Sequence, residues 1–241
     1  MEQGLIQLND RIWYWPHHPD PGNVQPSIGL IVGTHKSILV DAGNSPAYAI
    51  QVRAALDQAG LPPVSMIIYT HHHWDHVYGA CAYDVPVLAH SKCRKILLEE
   101  AKKPWSKEYL DKLVQQNPKL RVSCEARNRA ISDWQNFRIV VPDIVLERSK
   151  VIELEDLRIE LEYVGGQHAE DAIIVKVPHS RVMFIGDCYY PPPLHLRTKG
   201  STISNEILFK LVDDGIDLYI EGHDDPTTRD ELVEYLSSLE N

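Results

Sequence analysis

The run Thr70-His71-His72-His73-Trp74-Asp75-His76 follows directly on the apolar stretch Val64 to Tyr69. Four potential metal ligands, His71, His73, Asp75 and His76, therefore lie within six residues. No regular element turns all four onto one ion, because side chains alternate across a strand and spiral around a helix. A buried strand that ends in a tight loop can fan them out toward two ions. Neutral imidazoles and a carboxylate suit zinc and similar divalent metals. A histidine tag lies at a chain end, whereas this run is internal.

The rest of the chain supplies strands and helices to carry that loop. Ile28 to Val32 and Ser37 to Val40 are β-rich runs split by Gly33-Thr34-His35-Lys36, which predicts a hairpin. Pro46 to Gly60 spaces Ala47, Ile50, Ala54 and Ala55 as a helix closed by glycine. Pro62-Pro63 breaks the chain before the strand 64–69, and 85–89 predicts another strand. Residues 91–136 are mainly helical, interrupted by Pro104 and Pro118. Strands return at 144–146, 151–154, 157–164, 172–177 and 181–185, with polar pairs as turns between them. Pro191-Pro192-Pro193 marks a rigid loop, 204–213 a helix, 218–221 a strand and 228–239 a closing helix. Strands and helices alternate twice, with no repeat of fixed period. The pattern predicts mixed α and β structure with largely antiparallel strands.

The motif H-x-H-x-D-H after an apolar strand and a threonine resembles the metallo-β-lactamase superfamily. The likeness extends over nearly the whole chain. Ser27 to Asn44 resembles that family's opening hairpin with its Asp-x-Gly turn, here Asp41-Ala42-Gly43. Gly165 to Asp187 resembles the stretch with the third histidine and a later aspartate, and Glu221-Gly222-His223 the final metal histidine. The resemblance implies an α+β four-layer αβ/βα sandwich: two mixed, largely antiparallel sheets with helices outside and metals at one edge. It also implies a single domain over 1–241, with the helical insertion 91–136 as a lid bordering the metals.

By the same resemblance His71, His73 and His168 bind a first metal, Asp75, His76 and His223 a second, and Asp187 bridges them. Read alone, His168 after the double glycine is a turn or core histidine, and Asp187 after Gly186 a turn residue. Two divalent ions, zinc first with Mn2+ or Fe2+ as substitutes, can share one water and bring its pKa to about 7. No serine or cysteine nucleophile is then needed. Asp75 or Asp187 would orient the hydroxide or carry a proton, and Tyr189 or Tyr190 would donate a hydrogen bond to the substrate. Asp41 is structural, holding the metal loop through hydrogen bonds. His72, of opposite parity to its neighbours, points away from the ions. Asp171 steadies the turn after His168. His17, His18, His35, His90, His179 and His195 have no motif support and read as surface or structural histidines.

Length and composition are compatible with this. A chain of 241 residues buries a substantial core, and 44% hydrophobic with 24% charged residues is ordinary for a globular protein. No apolar run approaches the ~20 residues that span a bilayer. The first ten residues show no basic n-region or apolar h-region, so the expectation is a cytoplasmic protein away from membranes. Cys81, Cys93, Cys124 and Cys188 form no C-x-x-C pair and read as free thiols. Net charge is −10, which argues against a nucleic-acid partner. Charge is uneven, though: 92–150 holds 14 Lys/Arg against 8 Asp/Glu, or +6, leaving −16 for the rest. A solvated helical face accounts for this; a basic lid over an anionic small-molecule substrate is the sharper alternative.

Departures from named subfamilies narrow the activity. β-Lactamases with a cysteine ligand place it where this chain has Asp187, and Cys188 is one residue late and on the other face. Those enzymes also lack the equivalent of His76, although His168-x-x-Asp171 resembles their pattern. Oxygen-reducing diiron members have glutamate at His73 and a flavin domain. RNA-processing members add a large clamping module for which there is no room. What remains resembles glyoxalase II and the lactonases: a binuclear hydrolase using a metal-bridged hydroxide on an ester, thioester, lactone or amide. The alternatives are a mononuclear iron persulfide dioxygenase, a phosphodiesterase, or a binding domain on a degraded scaffold. Substrate, native metal and oligomeric state are not written in the motifs.

Overall fold

The structure, a computed structural model, describes residues 4–239. Two sheets form. The first runs in the order β1 (Ile6–Gln7), β2 (Ile12–Trp15), β3 (Ile28–Val32), β4 (Ser37–Val40), β5 (Val64–Ile68), β6 (Val87–His90), β7 (Ile144–Leu146). The second contains β8 (Ser149–Leu154), β9 (Leu157–Tyr163), β10 (Ile173–Val177), β11 (Val182–Gly186), β12 (Leu218–Glu221) and β13 (Thr227–Thr228), again neighbours in sequence order. Pairing is antiparallel except for β4–β5, β5–β6, β6–β7 and β11–β12, so the first sheet is half parallel. The helices are α1 (Pro46–Gln58), α2 (Trp74–Val77), α3 (Ser91–Glu100), α4 (Lys107–Gln116), α5 (Arg121–Ala130), α6 (Asn205–Leu211) and α7 (Arg229–Ser238).

Strand parity builds the layers. In the first sheet Leu30, Val32, Leu39 and Ile67 face a core shared with Val52 and Leu56 of α1 and Leu97 of α3. Their neighbours Ile31, Ile38, Val40 and Ile68 face the other way, onto Ile159, Leu161, Ile173, Val175 and Phe184 of the second sheet. Ile174, Met183 and Ile185 then point outward onto Leu208 and Leu211 of α6 and Leu232 and Leu236 of α7. Three buried cores separate four layers, the expected αβ/βα sandwich. Strands buried on both faces read as continuous apolar runs, and so these do. Gly29 marks the closest approach of the sheets: a Cβ there would overlap the Phe184 ring.

Local chemistry starts the helices where the sequence predicts them. Ser45 caps α1 by accepting from the Tyr48 N–H at 3.2 Å, with Pro46 at the first helical position. Thr228 and Glu231 form a reciprocal capping box on α7. The insertion resolves into α3, α4 and α5, broken near Pro104 and Pro118. Strands β1, β2 and β13 were not expected.

Two backbone hydrogen bonds lock the halves together at one edge. The Ile173 N–H donates to the Thr70 carbonyl at 2.9 Å, and the Ser27 N–H to the Gly222 carbonyl at 2.7 Å. The loops after β4, β5, β11 and β12 converge at that edge, with the loop between β9 and β10.

Candidate metal centre

The seven candidate ligands arrive on five short pieces of backbone. His71 and His73 lie in the loop after β5, and Asp75 and His76 in the single turn of α2. His168 comes from the loop between β9 and β10, Asp187 follows β11, and His223 follows β12. The fold brings all seven together. Donor atoms of His71, His73 and His168 lie within 4.8 Å of one another, as do those of Asp75, His76 and His223. A third group, His71, His76 and Asp187, joins the first two. Asp187 Oδ2 lies 3.2 Å from His168 Nε2, 3.4 Å from His76 Nε2 and 3.5 Å from His223 Nε2. Asp75 Oδ2 lies 3.0 Å from His223 Nε2.

Hydrogen bonds behind the rings decide which nitrogen faces the centre. Asp41, held at φ 65° in the turn after β4, is buried beneath the histidine loop. It accepts from the Thr70 N–H at 2.7 Å, the Thr70 hydroxyl at 2.8 Å and His76 Nδ1 at 2.8 Å. Because the Thr70 hydroxyl donates to Asp41, its oxygen accepts from His71 Nδ1 at 3.0 Å. His168 Nδ1 donates to the Pro191 carbonyl at 2.7 Å. In each case a ring proton sits on Nδ1, so Nε2 is the nitrogen turned toward the centre. His71 Nε2, His76 Nε2 and Asp187 Oδ1 are buried without a hydrogen-bond partner. His73 Nδ1 and His168 Nε2 face each other at 3.0 Å. Buried polar atoms left bare are costly, and a cation in their midst satisfies them. The donor set therefore fits divalent metal, with rings oriented from behind as metal-bound histidines usually are.

The electrostatics are consistent with this. Burial, with His76 and His73 alongside, pushes His71 well below the usual histidine range. Burial and the adjoining His72 and His168 do the same to His73. Burial alone would raise Asp75, but His76 and His223 outweigh it and hold the carboxyl at about 2. Burial likewise opposes the ionised form of Asp187, yet His76 and His223 keep it well below the usual carboxylate range. Burial works against charge on His76 too, but Asp187, Asp41 and Asp75 raise it well above its usual value.

Other expected positions sort by parity. His72 turns aside, its Nδ1 2.7 Å from Asp171 Oδ1, and ties the histidine loop to the turn after His168. Cys188 is buried among Ile185, Leu208 and Tyr219, and burial pushes its thiol up. Tyr189 and Tyr190 part company. The Tyr189 hydroxyl donates to buried Glu221, and Tyr189 does not line the cavity above the ligands. Tyr190 does line it, while its hydroxyl donates to Glu221 and accepts from the His223 N–H, both at 3.3 Å.

That cavity has a volume of about 550 Å³ and a floor of His73, Trp74, Asp75, His168, Asp187 and His223. Its walls include residues that no motif singled out: His17, His18, His195, Lys119 and Arg197. They sit on loops, where no periodicity marks them. The insertion contributes Lys119, Val122 and Ser123 to the wall. Arg127 of α5 stacks within 6 Å of the Trp74, Tyr78 and Trp105 ring centres, which fastens the insertion to α2.

The model of the Metallo-beta-lactamase superfamily matches residues 21–223. The chain belongs to the metallo-beta-lactamase superfamily. Solved structures agree on the fold. The stereoselective inverting sec-alkylsulfatase Pisa1 from Pseudomonas sp. superposes with a TM-score of 0.67 at 19% identity. That match covers 98% of this chain but 40% of the sulfatase, so the chain spans about two fifths of that protein's length. A metallo-beta-lactamase from Pontibacter korlensis gives 0.61 at 15% identity, covering 100% of both chains. One from Erythrobacter litoralis gives 0.63 at 17%, covering 98% of this chain and 95% of the other. At such identities the likeness is one of fold. No curated protein matches the chain. Within this superfamily the His/Asp cluster marks a metal-binding member, and among the described residues no helix is long and apolar enough to cross a membrane.

Proposed function

We propose that this chain is a binuclear metal-dependent hydrolase, of the glyoxalase II or lactonase type, acting on an ester, thioester, lactone or amide of a small molecule. The observation that carries this reading is the convergence of seven donors, five of them on the cavity floor and His71 and His76 buried below it, with buried atoms left bare for a cation. His71, His73 and His168 would hold one ion, Asp75, His76 and His223 the other, and Asp187 would reach both. Bound divalent metal, zinc or else Mn2+ or Fe2+, supplies Lewis acidity toward a carbonyl and a water acidified toward neutral pH.

The chain's own groups do the rest. Asp41, through Thr70 and directly, presents Nε2 of His71 and His76. Asp187, ionised and central, is placed to accept a proton or orient water, and Asp75 is the second candidate for that role. Tyr190 borders the bound substrate, with its hydroxyl engaged by Glu221 and His223. The segment 91–136 borders the cavity as a lid on a single domain. Four unpaired cysteines suit a reducing compartment such as the cytoplasm.

Metal content per chain, measured by plasma mass spectrometry on protein purified without added metal, tests the reading first. About two zinc or manganese ions, with turnover in a panel of esters, thioesters, lactones and amides that His73→Ala abolishes, is the expected result. About one iron, with oxygen uptake on a persulfide, would replace it by the dioxygenase. Activity confined to bis-aryl phosphates would replace it by a phosphodiesterase, for which the basic residues beside the cavity speak.

A further inference from the structure

The cavity is polarised. Its carboxylates, Asp75 and Asp187, lie on the floor and are engaged by histidines. Its lysine and arginine, Lys119 and Arg197, come from the wall. Lys119 belongs to the turn Pro118–Leu120, which packs against the turn Leu194–Leu196 just before Arg197. Two segments far apart in sequence thus bring two cations to one side. Both residues are exposed, and among the described residues neither forms an ion pair with a carboxylate. In a chain of net charge −10, two such cations on one side of the cavity make that wall locally positive. His195, between them, does not add a third charge: burial and the nearby Arg127 lower its pKa.

Beside the cations the wall carries an apolar strip, although His17, His18, Gln25 and Ser123 also line it. Val24 and Pro21 come from the loop between β2 and β3, Val122 from α5, and Leu194 from the turn before Arg197. Val122 and Leu194 are more than half exposed, at 55% and 58%. An apolar ligand body would cover surface that is otherwise wet. A volume of about 550 Å³ is that of a site for a small organic molecule.

We infer that the substrate is an anionic amphiphile: an apolar body against Val122 and Leu194, with an anionic group, remote from the bond that is cleaved, held by Lys119 and Arg197. The inference rests on the hydrolase reading of the floor. Lys119 and Arg197 are specificity-determining residues, and an anion so held leaves the far end of the molecule at the metal ligands. The two cations also steer an anion toward a protein that would otherwise repel it.

Binding tests this without turnover. Octane-1-sulfonate, whose sulfonate is a poor metal ligand, and octan-1-ol are titrated calorimetrically into the metal-loaded protein and its Lys119→Glu/Arg197→Glu variant. The sulfonate should bind the wild type at least about tenfold more tightly than the alcohol, with the advantage shrinking as salt is added. The double variant should lose that advantage while keeping its affinity for the alcohol and its metal content, and Lys119→Arg should retain it. Equal binding of the two probes by the wild type, or a preference that survives charge reversal, overturns the inference. A chain that binds the sulfonate as expected yet hydrolyses nothing in the panel refutes the hydrolase reading and leaves the anion site standing.

Discussion

Asp41 offers the sharpest test of how the centre is built. Its carboxylate is 3% exposed and accepts three hydrogen bonds, two from Thr70 and one from His76. Asp41→Asn keeps the shape and tolerates the left-handed backbone, but replaces Oδ2 by an amide that donates. That amide would face the Thr70 hydroxyl and His76 Nδ1. His76 can accept only by moving its proton to Nε2, the atom 3.5 Å from Asp75 and 3.4 Å from Asp187. Thr70, relieved of donating to Asp41, would donate to His71 Nδ1 and protonate the wrong nitrogen there too. One substitution therefore spoils a donor in each half of the centre. Losing an orienting partner of this kind costs roughly 10- to 100-fold in metal affinity. The cost in stability is about 1 kcal/mol, since every group still has a partner, and lowers Tm by roughly 2–4 °C in a chain of this size. Asp41→Ala is the contrast: three buried donors lose their acceptor at about 1–3 kcal/mol each, and Tm should fall by more than about 6 °C. The assay pairs a chelator-competition titration with thermal melts of the metal-free proteins. If Asp41→Asn binds metal as tightly as the wild type, the tautomer argument is wrong.

Other expectations follow from neighbouring features. Gly29→Val should destabilise by about 1–3 kcal/mol through overlap with Phe184, and Phe184→Leu should recover part of the loss; strictly additive effects in urea denaturation would refute the contact. His72→Ala should cost about 1–3 kcal/mol by stranding the buried Asp171 carboxylate, yet leave metal stoichiometry unchanged, which mass spectrometry can check. Removing metal with a chelator should lower Tm, and excess zinc at about 100 times its Kd should restore about 2.7 kcal/mol; a melt indifferent to chelator counts against the centre. His76 and His223 are held above their usual pKa because Asp187 and the neighbouring carboxylates outweigh burial, so both gain a proton as pH falls. Protons then compete with metal: affinity should drop on acidification, and zinc uptake in weakly buffered solution should release protons.

The layers and the donor set were legible in the chain, for different reasons. Runs such as Ile28 to Val32 and Ala172 to Val177 are apolar at every position or nearly so, and only a strand covered on both faces buries them all. The helical insertion announced itself through periodicity and two prolines. The short edge strands escaped because Ile6–Gln7 and Thr227–Thr228 have two residues each, too few for a period. Ile12–Trp15 carries an aromatic, β-branched signal, but over four residues only. Within the site, the difference between Tyr189 and Tyr190 was invisible: both hydroxyls reach Glu221, and only the packing of the loop after β11 shows that Tyr190 is the one that lines the cavity. His17, His18 and His195 looked incidental because no spacing relates them to the ligands.

The sequence by itself determined the donor types, their order and the parity that turns His71 and His73 one way and His72 and Cys188 another. These are properties of neighbouring residues, set by the geometry of a few consecutive peptide units. Only the tertiary structure decided which imidazole nitrogen each histidine presents and which cations border the cavity. Asp41 reaches His76 across 35 positions, and the turns at Pro118–Leu120 and Leu194–Leu196 meet across more than seventy. Such contacts exist only after the two sheets close on Phe184 and their common core. Their chemistry follows from packing, which no local pattern encodes.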